Sequence, residues 1–463
     1  MERKNAWAAY AGDDGKVEAF AKAYCDFINN GKTERECVAY GEKLAKAHGF
    51  EDLNAVVRSG RKLNAGARVY ANWMGKSFML FVLGEKPLEE GMNILGAHID
   101  SPRIDVKQNP LYEDTDLAYL DTHYYGGIKK YQWVAIPLAL HGVIVRKTGE
   151  KVIINIGEDE NDPVFCISDL LVHLAQEQMA KNAKEVVEGE ALNLIVGGRP
   201  LEGEEKDAVK ANVLKLLADK YGVEEEDFLS AELEIVPAGK ARDMGFDRSM
   251  ILGYGHDDRV CAYPSMMAVL DYEGTPDYTL CCIVTDKEEI GSVGATGMAS
   301  HYLENTVAEL YACTADYCDL AVRRCLRNSR MLSSDVSAGY DPNFASAFEK
   351  KNSAFLGRGI CFNKFTGSRG KSGSNDANPE FMASLRKIMD DASVAFQTAE
   401  LGRVDLGGGG TIAYLCAKYG MNVIDSGIPV LSMHAPYEII SKVDLYEGYR
   451  GYCAFLQGAK PVE

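Results

Sequence analysis

Five short segments of the sequence place histidine, aspartate or glutamate at the ends of apolar, strand-like runs. These segments are GAHIDSPR with His98 and Asp100, GHDDRV with Asp257 and Asp258, TDKEEIGS with Glu288 and Glu289, LSSDVS with Asp335, and SMHAPYE with His434. Each segment alone is a weak signal, because an acid at the end of a strand is most often a cap or a turn residue. Together they indicate one kind of chemistry, because imidazole and carboxylate ligands suit Zn²⁺ and related divalent metals.

A set of this size is large enough for a two-metal hydrolytic centre. One shared carboxylate can bridge two metals about 3.5–4 Å apart, and such a pair activates a water and holds a peptide carbonyl. A separate carboxylate must then take the proton of the water and pass it to the leaving amine. The spacing of His98 and Asp100 also suits a carboxylate that holds the ring N–H of a ligand histidine and fixes its tautomer.

The adjacent acids Glu288 and Glu289 set a condition on the backbone. In a regular strand their side chains would point to opposite faces of the sheet. Both can serve one site only if the chain leaves strand geometry there, and Gly291 just downstream favours such a departure. We therefore expect a turn at the end of the strand TLCCIVT.

The elements that position these residues follow an α/β rhythm. Apolar runs such as MNILGAHID and YTLCCIVTD predict buried strands, and chemistry in α/β sheets lies at the carboxyl ends of the strands. Residues 15–48 predict two helices separated by a break at residues 29–32. From about residue 109 to 250 the pattern favours strands, together with a helix (DLLVHLAQEQMAKNA) that Ser168 would cap. The simplest architecture is one α/β domain interrupted by an inserted, β-rich domain.

Composition excludes several classes of protein. The chain has 463 residues, of which 46% are hydrophobic, and its formal net charge is −18, which argues against nucleic acid as the main partner. No uncharged apolar run is long enough to predict a membrane span, and the first residues lack the apolar core of a signal peptide. Twelve cysteines without a CxxC pair predict reduced, mostly buried thiols. We therefore expect a cytoplasmic protein.

The segments GAHIDSPR, YGG…W, GHDDR, TDKEEIGS, SSD and SMHAPYE occur in an order that resembles the aspartyl aminopeptidase and vacuolar aminopeptidase I family of dizinc exopeptidases. The resemblance runs from about residue 15 to 460. It implies a zinc-exopeptidase-like α/β/α sandwich whose catalytic domain comprises residues 1–108 and 251–463, with an inserted oligomerisation domain at 109–250. It also implies a metal-dependent aminopeptidase that hydrolyses the N-terminal residue of peptides, using a two-metal-activated water. Zn²⁺ is the first choice of metal from the ligand types, and Mn²⁺ and Co²⁺ tolerate the same ligands.

The resemblance also implies a role for each residue at the site. The metal ligands are His98 and Asp335 for one ion, Glu289 and His434 for the other, and Asp257 as the bridge between them. Glu288 is the general base, Asp100 orients His98, and the peptide bond after Asp257 is expected to be cis.

Two further residues gain roles only through the resemblance. His173 matches a histidine that the inserted domain of a neighbouring subunit supplies to the active site, where it stabilises the oxyanion or the carbonyl. The enzyme is therefore expected to be a homo-oligomer, a dodecamer built from dimers. Lys364 matches a lysine near the substrate pocket and could pair with an acidic side chain, although a solvated loop lysine fits equally well. A preference for acidic or for neutral N-terminal residues stays open, and His256 is expected to be structural.

Three alternatives to an aminopeptidase differ in what they require of the sequence. The same dimetal scaffold can support a deacylase or a carboxypeptidase, which would differ in the groups that hold the ends of the substrate. A non-catalytic assembly protein would be expected to have lost part of the ligand set, and this sequence keeps all of it. A cysteine hydrolase would need a cysteine paired with a histidine, and no local signature indicates such a pair.

Overall fold

The computed structural model of the chain describes residues 4–367 and 370–462. It forms two compact units: unit 1 comprises Met1–Asp100, Ala241–Met433 and Glu438–Glu463, and unit 2 comprises Ser101–Lys240 and His434–Tyr437. Unit 2 begins and ends earlier in the chain than the boundaries expected after residues 108 and 250. One strand of unit 2 (Arg103–Asp114) continues through residue 108, and a strand of unit 1 already begins at Met250.

Unit 1 is built on a nine-stranded sheet, whose strands are numbered here along the chain. In spatial order the strands are β1 (Glu51–Asp52), β2 (Arg68–Trp73), β3 (Ser77–Val82), β13 (Thr279–Thr285), β4 (Met92–His98), β14 (Arg330–Ser334), β18 (Asn422–Gly427), β16 (Ile360–Asn363) and β17 (Phe396–Thr398). The central strands β13, β4, β14 and β18 are mutually parallel. Their carboxyl ends therefore lie along one edge of the sheet.

Helices cover both faces of this sheet. They are α1 (Gly15–Asn30), α2 (Glu34–Ala47), α3 (Leu53–Ser59), α6 (His256–Leu270), α7 (Tyr302–Thr314), α8 (Asp319–Asn328), α9 (Pro379–Asp391), α10 (Ala413–Ala417) and α11 (Lys442–Gly458). The predicted pair of N-terminal helices is confirmed, and α2 starts with a capping box formed by Thr33 and Glu36.

Alternation along the strands divides the core of unit 1 into two layers. Leu95 and Ala97 of β4 belong to one hydrophobic cluster, with side chains of α1, α2, α6, α9 and α11. Ile94 of the same strand belongs to the other, with side chains of α3, α7, α8 and α10. Strands that are buried on both faces read as continuous apolar runs, and this explains sequences such as TLCCIVT. The result is an α/β/α sandwich.

A second, five-stranded sheet also belongs to unit 1. Its strands, in spatial order, are β11 (Arg242–Met244), β12 (Met250–Gly253), β20 (Glu438–Ser441), β19 (Pro429–Leu431) and β15 (Ser337–Ala338). Strands β12 and β20 are antiparallel, and β20 ends directly before α11 begins at Lys442.

Unit 2 contains a six-stranded antiparallel sheet. In spatial order the strands are β8 (Lys151–Ile156), β7 (Leu138–Val145), β10 (Ala231–Pro237), β5 (Arg103–Asp114), β6 (Leu117–Tyr125) and β9 (Leu194–Gly197). The helices of the unit are α4 (Gln176–Met179) and α5 (Ala208–Tyr221). The β-rich character expected of the inserted segment is therefore observed.

The prediction of a helix after Ser168 is wrong. Only the four residues of α4 are helical in that stretch, and the preceding residues lack regular structure. Leu170, Val172 and Leu174 expose about half or more of their side chains (47%, 74% and 68%), so tertiary packing does not stabilise a helix there. A segment of this length is only marginally helical without such packing.

None of the helices within the described ranges combines the length and the apolar character that a membrane span requires. All twelve cysteines are free thiols, and most of them are buried, as the sequence predicted.

Replacing Leu310 with alanine tests how much the helix layer of α7 contributes to unit 1. Leu310 is fully buried, so we expect the free energy of unfolding to fall by about 2–5 kcal/mol, through lost transfer energy and the cavity left behind. Leu320 on the adjacent helix α8 is half exposed, and its alanine variant should differ from wild type by no more than about 0.5 kcal/mol. Urea unfolding of both variants measures this, and equal losses would contradict the assigned packing.

Candidate metal centre

Residues from four of the five segments lie at the carboxyl edge of the central strands of unit 1. His98 is the last residue of β4, and Asp335 directly follows β14. Glu288 and Glu289 come after β13, and Asp257 lies at the start of α6. The peptide bond between Asp257 and Asp258 is cis, as the resemblance implied.

The imidazole of His98 is held from one side and faces acids on the other. Its Nδ1 lies 3.0 Å from the carbonyl oxygen of Asp100 and 3.3 Å from Oδ1 of the same residue. Its Nε2 lies 3.2 Å from Oδ1 of Asp257 and 3.9 Å from Oε2 of Glu288. The contact expected between His98 and Asp100 is therefore present, and Nε2 is the nitrogen that faces the acids.

The Asp100 carboxylate also organises the turn that carries the two glutamates. The backbone N–H of Glu288 donates to one of its oxygens (3.1 Å), and the N–H of Glu289 donates to the other (3.2 Å). The chain leaves strand geometry at Lys287, whose φ is +70°, and forms a single 3₁₀ turn over Glu288–Ile290. The expectation that this pair departs from the strand is confirmed.

The donor set fits a divalent cation. Two groups of ligand atoms each lie within 4.8 Å of one another: His98 with Asp258 and Asp335, and His98 with Asp257 and Glu289. Nitrogen and carboxylate donors at such spacing are those that zinc takes in proteins. Oδ1 of Asp258 is buried and accepts no hydrogen bond within the described residues. A buried carboxylate oxygen without a donor is a further reason to expect a cation here.

Asp258 is the residue of this site to which the sequence assigned no role. Its Oδ2 accepts the backbone N–H of His98 (3.3 Å), and its carboxylate, rather than that of Asp257, groups with His98 and Asp335. The only signal in the sequence was its place directly after Asp257 in GHDDR. Asp257 and Asp258 are both buried and each groups with His98, so two adjacent acids contribute to the same cluster.

The electrostatics of the cluster favour a bound positive charge. Burial raises the pKa of Asp335 well above its usual value, and the nearby Glu288 and Asp258 carboxylates raise it further. Burial likewise raises the pKa of Asp258. Burial alone would lower the pKa of His98, but its hydrogen bonds with Asp100 and Asp257 outweigh that effect and raise it. Crowded buried acids of this kind attract a cation.

The remaining histidine of the predicted ligand set, His434, falls in the short segment of unit 2. It adopts left-handed backbone geometry, with φ +66°, and its Nδ1 lies 3.0 Å from the carbonyl oxygen of Gly127. Gly127 belongs to the YGG segment that carried part of the resemblance. The role of His434 as a ligand stays a prediction.

Three further residues singled out in the sequence are His173, Lys364 and His256. His173 is exposed between Val172 and Leu174. The Lys364 ammonium forms an ion pair with Asp376. Their roles stay predictions. His256, in contrast, is fully buried; its Nδ1 lies 2.7 Å from the Tyr24 hydroxyl, and burial lowers its pKa to about 3, which fits the structural role expected of it.

A buried imidazole among carboxylates, at the carboxyl edge of parallel strands, defines the class of this protein as a metal-dependent hydrolase. Comparison with known proteins identifies the family. Residues 27–456 match the family described as aminopeptidase I zinc metalloprotease (M18). The chain is 59% identical over 459 residues to a probable M18 family aminopeptidase 1 of Clostridium acetobutylicum, with 98% of each protein covered.

Solved structures agree with this match. The crystal structure of aminopeptidase I from Clostridium acetobutylicum is 57% identical, with a TM-score of 0.92 over 98% of this chain and 99% of that one. An M18 aminopeptidase from Thermotoga maritima is 42% identical, with a TM-score of 0.94 over 99% and 100% of the two chains. The dodecameric mApe1 of Saccharomyces cerevisiae shares the fold at 21% identity, with a TM-score of 0.74 over 94% and 95% of the two chains.

This chain therefore belongs to the aminopeptidase I zinc metalloproteases, family M18. It is a zinc-dependent aminopeptidase, which hydrolyses peptides at the N-terminus.

Replacing Asp100 with asparagine tests the link between the histidine and the glutamate turn. Asparagine has the same shape but only one acceptor oxygen for the two N–H groups that the carboxylate now accepts. We expect zinc affinity to fall by about 10- to 100-fold, the usual cost of losing a partner that orients a ligand. Competition with a chromogenic chelator measures the affinity. Asp316→Asn, at an exposed acid, is the control, and unchanged affinity in both variants would contradict the role of Asp100.

Proposed function

We propose that the chain removes N-terminal residues at a centre that holds two divalent metals, with Glu288 as the general base. The proposed ligands are His98 and Asp335 for one ion, Glu289 and His434 for the other, and Asp257 between them. The observation that carries the proposal is that two groups of candidate ligands surround His98, one with Asp258 and Asp335 and one with Asp257 and Glu289, and together they offer more donors than a single zinc ion takes. When bound, the metals supply Lewis acidity, which polarises the scissile carbonyl and acidifies water.

The choice of Glu288 as the base rests on its place at the edge of the cluster. Its carboxylate lies 3.9 Å from Nε2 of His98, so it borders the ligand atoms. Its side chain is 15% exposed, against 4% for Asp257, so Glu288 reaches solvent and Asp257 does not. A base that exchanges protons with water and with a leaving amine needs such access.

The contacts of Asp100 orient a metal ligand and also the turn that carries the base. They fix the ring of His98 with Nε2 toward the acids, and they fix the backbone of the residues that carry the base and a ligand. Groups that are already oriented need no rearrangement during the reaction, which is a large part of enzymatic rate enhancement.

Replacing Glu288 with glutamine tests the proposal directly. Glutamine has nearly the same shape but cannot accept the proton, so we expect kcat to fall by about 10²–10⁴-fold while zinc stays bound. The assay is release of p-nitroaniline from Leu, Ala, Asp and Glu p-nitroanilides, with zinc content measured on the same samples. Chelation should abolish the wild-type activity, and added metal should restore it.

Glu273→Gln, at an exposed acid of unit 1, serves as the matched control and should keep full activity. Undiminished turnover by the Glu288 variant at full zinc content would contradict the assignment of the base. The same substrate panel decides between acidic and neutral preference. An acidic substrate side chain that used Lys364 would have to compete with Asp376 for its ammonium.

We further propose that unit 2 is the oligomerisation domain and that His173 acts in the active site of a neighbouring subunit. Leu170, Leu171, Val172 and Leu174 flank this histidine and are all exposed, and a contiguous apolar stretch of this kind is typical of a protein interface. Like the dodecameric mApe1, the chain would form a homo-oligomer, a dodecamer built from dimers. His173 would there stabilise the carbonyl oxygen as it gains negative charge.

Coexpression of two inactive variants tests whether His173 acts between subunits. His173→Phe removes the donor and should lower kcat by about 10²–10³-fold, and Glu288→Gln removes the base. In mixed oligomers, a subunit with intact Glu288 can receive His173 from its neighbour. With random assembly of equal amounts, about a quarter of the sites are complete and activity returns in proportion. Two variants that stay inactive together, in oligomers shown to contain both, would contradict the proposal.

A further inference from the structure

A buried cluster of charged side chains lies directly before the turn that carries the two glutamates. We name it the Lys76 cluster, and it consists of Glu34, Lys76 and Asp286. The Lys76 ammonium lies 2.9 Å from Oε1 of Glu34 and 3.5 Å from Oδ2 of Asp286. The lysine side chain is 9% exposed, and the two acids are fully buried.

The three residues come from separate elements of unit 1. Glu34 is the first residue of α2, and Lys76 lies in the turn between β2 and β3. Asp286 directly follows β13 and precedes the 3₁₀ turn of Glu288–Ile290 by two residues. The cluster therefore joins two parts of the scaffold to the point where the backbone departs from the sheet.

Further contacts fix Asp286 itself. Its Oδ2 accepts hydrogen bonds from the Thr296 hydroxyl (2.5 Å) and from the Lys287 ammonium (2.7 Å). Its backbone N–H donates to the Ser77 hydroxyl (3.3 Å), which in turn donates to the carbonyl oxygen of Thr296 (2.6 Å). Both the side chain and the backbone of this residue are thus held in place.

Stability alone does not account for a buried ion cluster at this position. Removing charges from water is costly, and apolar residues of similar size are often as stabilising as a buried ion pair. What charged groups add is a defined geometry, because their energy depends on the direction and length of each contact. Here the contacts define the position of Asp286, two residues before Glu288. Small displacements of a catalytic group such as Glu288 have large effects on the reaction rate.

We propose that Lys76 is a positioning residue for Glu288 and Glu289. Through Asp286 it fixes the start of the turn, and the Asp100 carboxylate fixes the turn itself through the two backbone N–H groups. Lys76 has no part in the chemistry of the substrate. This inference rests on the proposed function of Glu288 as the base.

The test compares Lys76→Met and Lys76→Arg with a matched buried lysine. Lys442 is 2% exposed and pairs with the partly exposed acids Glu18 (2.7 Å) and Asp243 (2.9 Å), so Lys442→Met removes the ion pairs of a similarly buried lysine at the start of α11. At saturating zinc, we expect Lys76→Met to lower kcat by about 10- to 100-fold with little change in KM. Lys76→Arg, which keeps the charge, should retain a higher kcat. Lys442→Met should lose stability in urea but keep its kcat.

A kcat for Lys76→Met equal to that of wild type, or equal losses of kcat in the Lys76 and Lys442 variants, would overturn the inference. If Lys76→Met does not fold, Asp286→Asn replaces it, because it keeps the shape of the side chain while removing the charge that Lys76 contacts. A loss of kcat by about 10- to 100-fold in Asp286→Asn then supports the inference, and a kcat equal to that of wild type overturns it. Glu288→Gln is measured alongside. If Glu288→Gln is inactive and Lys76→Met has the kcat of wild type, only the positioning role of Lys76 is overturned. If Glu288→Gln is itself active, the role of Glu288 as the base is overturned as well.

Discussion

The Asp100 carboxylate is the contact on which the site depends. One of its oxygens faces Nδ1 of His98, and the two oxygens accept the N–H groups of Glu288 and Glu289. A histidine at the end of β4 and a turn after β13 are thereby joined through a single side chain. Because β4 and β13 are adjacent and parallel, their carboxyl ends lie close enough for this bridge. The geometry of the candidate ligands follows from the order of strands in the sheet.

Buried charge is the second constraint on unit 1. Asp257 and Asp258 are buried and Asp335 is half-buried, and the loss of solvent raises the pKa of Asp258 and of Asp335. Carboxylates crowded in this way repel one another unless a cation lies between them, so the cluster favours a bound cation, in agreement with the zinc dependence of the family. Behind the turn, Lys76 supplies a fixed cation to Glu34 and Asp286. Candidate metal ligands and acids that pair with a lysine therefore lie close together in unit 1.

Unit 2 shows why one predicted helix does not form. The stretch DLLVHLAQEQ has the apolar periodicity of a helix, but its leucine and valine side chains are exposed and only Gln176–Met179 is helical. The periodicity is real, yet it reflects apolar side chains that pack on nothing within unit 2 as described. The proposed contact with a second subunit would give these side chains a partner and would place His173 where the resemblance expects it.

The sequence by itself determined the strands β4 and β13 at the centre of the sheet, the helices α1 and α2, the β-rich insertion and the segments that carry the acids and histidines. These are local properties, because apolar runs, caps and glycines act over a few residues. The tertiary structure alone decided that Asp258 groups with His98 and Asp335, that Asp100 bridges His98 and the glutamate turn, and that Lys76 contacts Asp286. Each of these contacts joins residues that are far apart in the chain, so no local pattern encodes it, and only the pairing of strands brings them together.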